Sequence, residues 1–129
     1  MFEWNLFLKI TKYKTKVSIE IFLEYITNED KIAGFLRLSL PKKENFIEEL
    51  KNSTIIREVH VYGQSLEIGS QKSGKPQHLG LGTSLIKKAE EISKSKGFNK
   101  ISVISSIGTR EYYKARGYTL STLYQHKHI

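Results

Sequence analysis

Two glycines one residue apart, Gly80 and Gly82, stand between a β-branched run and an apolar stripe at helical spacing. The run Ile55–Tyr62 is β-branched and aromatic and ends at Gly63, which is the make-up of a strand. After Gly82, Leu85, Ile86, Ala89 and Ile92 form one helical face that Gly97 should stop. Glycines between a strand and a helix let the backbone approach a ligand closely. They leave unpaired N–H groups at the helix start to face an anion, and the helix dipole adds to the attraction. The stretch Gln77-His78-Leu79-Gly80-Leu81-Gly82-Thr83 therefore reads as a phosphate cradle. It is not GxxxxGK[ST], and Ser84-Leu85 replace the third glycine of GxGxxG, which weighs against nucleoside triphosphates and dinucleotides.

Around this turn the elements follow in a definite order. Leu6–Ile10 and Val17–Ile26 read as strands, with Ile19, Ile21, Leu23 and Tyr25 on one face, and Ile32–Leu40 follows until Pro41. Polar residues 27–31 make a turn, so the last two runs form an antiparallel hairpin. Phe46, Ile47 and Leu50 suggest a short amphipathic helix or an ordered loop. Gln64–Gln77, with Gly69, Gly74 and Pro76, reads as a long surface loop. Ile101–Ile104 reads as a buried strand, Thr109–Arg116 as a short helix ended by Gly117, and Tyr118–Tyr124 as the last strand. The order is βββ(α)β–αβαβ, an α/β (α+β) arrangement with antiparallel strands first and a βαβ unit after them. Residues 1–129 are read as a single domain.

Composition removes several classes of function. Cysteine is absent, which rules out a disulfide framework, a thiolate zinc site, an iron–sulfur cluster and a cysteine nucleophile in these residues. No metal site is expected. No apolar run approaches the roughly 20 residues that span a bilayer, so a soluble, cytoplasmic protein is expected. The formal net charge is +8, and residues 65–129 carry eleven Lys and Arg against four acids. That half favours polyanions such as phosphate-bearing cofactors or nucleic acid, although a lysine-rich solvated surface would look the same.

In its context the Gln77–Thr83 stretch resembles the acetyl-CoA-binding motif of the GNAT superfamily. Longer strings sharpen the likeness. Ile56-Arg57-Glu58-Val59-His60-Val61-Tyr62-Gly63, the Gln77–Gly82 turn, Ile101–Ser105, and Thr109–Lys114 followed by Gly117-Tyr118 are similar to the acetyltransferase domain of the Elongator catalytic subunit family. That family reads close to RELHVYG, QHxGxG, ISGxGxREYY and LGY, and Gly34–Leu38 matches its hairpin. The likeness runs from about Lys9 onward, with Ser105-Ser106 in place of Ser-Gly as a departure. It implies the GNAT fold, acetyl-CoA as cofactor, pyrophosphate on the turn and the pantetheine arm along the preceding strand.

Acetyl transfer needs a held thioester, a base for the acceptor and an acid for the leaving thiolate. Backbone N–H groups of Val59–Val61 can polarise the carbonyl, and His60, Gln77, His78, Leu79, Gly80, Leu81, Gly82 and Thr83 complete the expected cofactor contacts. His78 alternatively reads as an exposed loop histidine. The resemblance places Tyr112 or Tyr113 near the sulfur. Adjacent helix positions point about a hundred degrees apart, so one can face the thioester while the other packs. Glu58 and His60 share a strand face and are alternative bases. Lys72, Lys75, Lys87, Lys88 and Arg110 are candidate contacts to phosphates of CoA or RNA.

The resemblance further implies tRNA-stimulated acetyl-CoA turnover in wobble-uridine modification. In the family a radical S-adenosylmethionine domain precedes this one, so a separate radical partner is a candidate, and a loop equivalent to Gln64–Pro76 can cover the acetyl-CoA site until tRNA displaces it. Two other readings stay open. One is a conventional N-acetyltransferase for a lysine, an N-terminus or a small amine; the other is a non-catalytic acyl-CoA or tRNA-binding module.

Overall fold

The computed structural model describes residues 6–43, 47–62 and 67–129, with 67–79 as backbone only. Strands β1 (Phe7–Lys14), β2 (Ser18–Ile26), β3 (Ile32–Pro41) and β4 (Ser53–Val61) form an antiparallel meander. Helix α1 (Glu67–Ser95) then crosses to β5 (Lys100–Ile104), which lies parallel to β4. A 3₁₀ turn at Ile107–Thr109 leads into α2 (Arg110–Lys114), and β6 (Thr119–Leu120) and β7 (Tyr124–His128) close the sheet as a hairpin. The strand order is β1-β2-β3-β4-β5-β7-β6, so β7 lies between β5 and β6. This mixed sheet with its parallel crossover is the GNAT fold.

Alternation along β2 divides the two faces. Ile21 and Leu23 point inward and meet Leu36, Leu38 and Ile56 beneath Leu85, Ile86 and Ala89 of α1. The Thr54 and Ser93 hydroxyls, both fully buried, bond each other at 2.7 Å and tie β4 to the helix. Facing outward, Glu20 is only 7% exposed. Its carboxylate accepts the Ser18 and Ser39 hydroxyls at 2.6 Å each and lies 3.5 Å from the Arg37 guanidinium, which offsets the cost of taking a charge out of water.

Two expectations need correction. The helix does not wait for Gly82: it begins at Glu67, and most of the expected Gln64–Gln77 loop is its first turns. Propagation from the packed part of the helix adds one hydrogen bond per ordered residue and carries α1 through Pro76, Gly69 and Gly74, although these are its least favourable positions. The expected last strand Tyr118–Tyr124 is instead two short strands, because the Ser121 amide bonds the Tyr124 carbonyl at 2.8 Å and reverses the chain. In the helix-or-loop segment the described residues form a 3₁₀ turn at Glu48–Leu50, with Leu50 buried, and Phe46 lies outside the described residues. Among the described residues no helix is long and apolar enough to cross a membrane.

That 3₁₀ turn carries a fastening for the far end of the sheet. The Glu49 carboxylate accepts the Leu123 and Tyr124 amides at 3.1 and 3.3 Å and meets His126 Nε2 at 3.0 Å. His126 Nδ1 in turn bonds the Ser102 hydroxyl of β5 at 2.6 Å. Burial alone would raise the Glu49 carboxyl, but the His126 bond and the two amides together hold it below its ordinary value of 4.5. A carboxyl depressed in the folded state stabilises above its unfolded value, and that contribution is lost as pH falls through the folded one. Glu49→Gln should therefore weaken the protein at neutral pH, with the gap to the parent narrowing in urea titrations below pH 4.5. A gap independent of pH would show that the charge of Glu49 contributes nothing.

Candidate functional site

Strand β4 touches β5 only over Ser53–Ile56, opposite Lys100–Val103. From Arg57 onward the two strands part, while β3 still pairs β4 as far as Val61 after a register shift between Arg37 and Leu38. The Tyr62 amide bonds Ala33 on the β3 side. Backbone groups alternate along a strand, so the Val59 and Val61 amides face the opposite, open edge. An extended ligand can pair with that edge as another strand would.

At the mouth of this gap α2 meets α1 through Gly82. A Cβ added to Gly82 would lie 2.5 Å from the Tyr112 hydroxyl and 3.7 Å from Val61 Cγ2. The glycine is thus required by close approach, and positive-φ glycines among the described residues are Gly97 and Gly117. Arg116 holds the same tyrosine from its other side: its guanidinium lies 3.5 Å from the ring centroid of Tyr112 and bonds Thr83 Oγ1 through Nε and Nη2 at 3.1 and 2.9 Å. The sequence reading assigned Arg116 no role. A cation four residues after a tyrosine on one helical turn was the signal available.

The tyrosine pair divides as adjacent helix positions must. Tyr113 is 7% exposed, packs edge-on to Tyr118 in the core, and burial pushes its hydroxyl up to about 12. Tyr112 is half-buried and faces the Gly82 notch. Core packing is the place of one, and the open gap that of the other.

Glu58 and His60 do share a face, and it is the outer one. His60 Nε2 lies 3.4 Å from Glu58 Oε1, and Glu58 also accepts Arg37 Nε at 3.0 Å. The His60 side chain is 51% exposed, 5.1 Å from the Phe35 ring and stacked on Tyr62 at 6.1 Å. Val59 and Val61 pack inward. Tyr112 and the Glu58–His60 pair therefore approach β4 from opposite sides, joined by the gap.

The expected cradle takes a different form here. Gly80, Gly82 and Thr83 lie inside α1, not in its first turn, so their amides belong to the helical ladder. Leu81 is fully buried against Leu6 and Ala33, so its side chain is core. The side chains of Gln77, His78, Leu79, Lys72 and Lys75 lie outside the described residues. Lys87 and Lys88 line an open cleft of about 620 Å³ with Tyr25, Gly80 and Thr83, and Lys88 pairs with Glu91 at 3.5 Å. Arg110 lines a separate cleft with Tyr118 and Gln125. Lys87 and Lys88 thus lie in a different cleft from Arg110.

Comparison with known proteins agrees with this fold. No family model matches the chain. It is 41% identical over 113 residues to Elongator complex protein 3 of Danio rerio, covering 85% of this chain and 21% of that protein. It is 34% identical over 126 residues to a tRNA uridine(34) acetyltransferase of Dehalococcoides mccartyi, covering 95% and 28%. The chain thus spans about a fifth to a quarter of the length of these relatives. The archaeal Methanocaldococcus infernus Elp3 structure superposes with a TM-score of 0.79 at 34% identity, over 96% of this chain and 30% of that one. A Bacillus anthracis structure in complex with acetyl coenzyme A shares the fold at a TM-score of 0.60 and 15% identity, over 98% and 88%.

The Gly82–Tyr112 contact is directly testable. Gly82→Ala in an otherwise normal helix gains about 1 kcal/mol of propensity but must displace the tyrosine, at a typical overpacking cost of about 1–3 kcal/mol. In a Tyr112→Phe background that conflict disappears. A double-mutant cycle should show a coupling of at least about 1 kcal/mol, and additive effects would mean that the hydroxyl does not occupy the notch.

Proposed function

Because the chain belongs to the Elongator complex protein 3 family, as the counterpart of its C-terminal GNAT domain, we propose that it binds acetyl-CoA along the open edge of β4 and turns over the thioester in service of tRNA wobble-uridine modification. One observation carries this reading: the Tyr112 hydroxyl stands at the Gly82 notch, beside the edge where β4 has parted from β5. The names of the relatives, a tRNA uridine(34) acetyltransferase among them, supply the acceptor class.

In this reading the Val59 and Val61 amides hold the pantetheine arm and polarise the carbonyl, an arrangement that uses backbone donors alone. Water attacks the carbonyl carbon and gives its proton to His60, which Glu58 orients from 3.4 Å. The carbon–sulfur bond breaks, and Tyr112 delivers its phenolic proton to the departing thiolate. Tyr113, with its hydroxyl raised to about 12, is a weaker donor and serves the core. Pyrophosphate would take the amides at Gly80–Thr83 once the turns ahead of them leave the helix. Those turns contain Pro76, worth about 3 kcal/mol against a helix interior, and Gly69 and Gly74 at about 1 kcal/mol each. The radical step would fall to residues outside these 129, which hold no cysteine for an iron–sulfur cluster, whether in the same polypeptide or in a separate S-adenosylmethionine-dependent partner. The cytoplasm is the compartment that suits such a tRNA substrate.

A conventional N-acetyltransferase is the second reading, favoured by the exposure of His60 on an open sheet face, where an amine acceptor could dock. Acetylated amine, rather than free acetate, would be its product.

Thiol release from acetyl-CoA, with and without tRNA, tests the proposal. Release should rise with tRNA and fall at least tenfold in Tyr112→Phe, about 1.4 kcal/mol of barrier, while Tyr113→Phe stays within about threefold. Equal loss in both variants would remove the distinction between them. The lysines make a separate prediction: reversing the charges of Lys87 and Lys88 should weaken tRNA binding and flatten its salt dependence. An unchanged affinity across a salt series would take RNA contact away from that cleft.

A further inference from the structure

Arg116 does more than end a short helix. Its guanidinium lies over the Tyr112 ring at 3.5 Å from the centroid, its Nη1 donates to the Tyr112 carbonyl at 2.7 Å, and its Nε and Nη2 converge on Thr83 Oγ1 at 3.1 and 2.9 Å. One planar group thereby grips the ring face and the backbone of the same residue, and pins both to α1 one position after Gly82. The core alone does not enclose Tyr112, which packs against it from the edge. It is half-buried, and its ring meets Tyr113 edge-on at 5.2 Å while its hydroxyl rests in the notch at Gly82, near Val61. Thr83 is likewise half-buried, so this anchor is formed at the edge of the gap, away from the closed core.

We propose that Arg116 is a positioning residue, which fixes the Tyr112 hydroxyl at the open edge of β4 by stacking over its ring and anchoring it to Thr83. The inference deepens the acetyl-CoA reading and rests on it for the chemical consequence, though not for the geometry. A bare cation is insufficient for this task. Lysine keeps the charge that favours the end of α2, but an ammonium can neither lie flat on a ring nor fork to two acceptors in fixed directions. A purely structural role as a helix-end cation would be satisfied by lysine; the stacked fork would not.

The 129-residue chain carrying ring-¹³C tyrosine tests both parts, with Tyr112 signals assigned by their loss in Tyr112→Phe. In Arg116→Gln and Arg116→Lys alike, the Tyr112 ring signals should shift and broaden while those of Tyr113 and Tyr118 stay in place. Thiol release at saturating acetyl-CoA should drop about tenfold in both variants, with the Kd for acetyl-CoA within about twofold of the parent, because misplacing a proton donor affects turnover more than binding. Unmoved Tyr112 signals in Arg116→Gln would overturn the proposal, as would full turnover in Arg116→Lys. Loss of all three tyrosine signals together would also count against it, by showing a general structural role. If the parent releases no thiol, the acetyl-CoA reading fails while the Tyr112 signals still decide the place of Arg116.

Discussion

Among the described residues the strand pairing between the two halves of the sheet is four residues long, Ser53–Ile56 against Lys100–Val103 in parallel. Everything that positions the site follows from how that short seam is held and where it stops. On its inner side α1 packs Leu85, Ile86 and Ala89 over Ile56 and Ile101. On its outer side the Ser53 and Ser102 hydroxyls, both fully buried, bond each other at 2.5 Å across the seam. Beyond it β4 keeps its partner on one edge and leaves the other bare. An unpaired edge inside a sheet costs backbone hydrogen bonds, and such a cost is tolerated where a ligand's own amides can take them up.

Much of this was legible in the residues. In β2, Ile19, Ile21, Leu23 and Tyr25 announce their shared face by an alternation that only Phe22 blurs, and it is the face that meets α1. Glu58 and His60, two apart on one strand, come within 3.4 Å. The Tyr112–Tyr113 pair separates into a packed ring and one at the gap, as a rotation of about a hundred degrees per residue requires.

What stayed hidden depends on contacts distant in sequence or on competition between local preferences. The grip of Arg116 on Thr83 spans 33 positions, and that of Glu49 on His126 spans 77; no periodicity reports either. The break between β6 and β7 has no glycine or proline to mark it, only Ser121 and Thr122. At the start of α1 the sequence signals pointed to a loop, and cooperative helix growth won against them. The glycine at 82 was read for close approach to a ligand, whereas in the fold it leaves room for the hydroxyl of Tyr112.

The placement of β7 between β5 and β6 sets the order in which the molecule can be finished. β6 leaves the ribosome before β7 yet has nothing to pair with until β7 has emerged, and the hairpin has no place in the sheet until β7 docks on β5. The second edge of β5 therefore remains exposed throughout synthesis of the residues before Tyr124, and the carboxylate of Glu49 waits some 75 residues for the amides it will hold. Such late, long-range closure is slow by loop entropy, and it leaves a nascent chain with an open strand edge for which a chaperone or a neighbouring copy can compete.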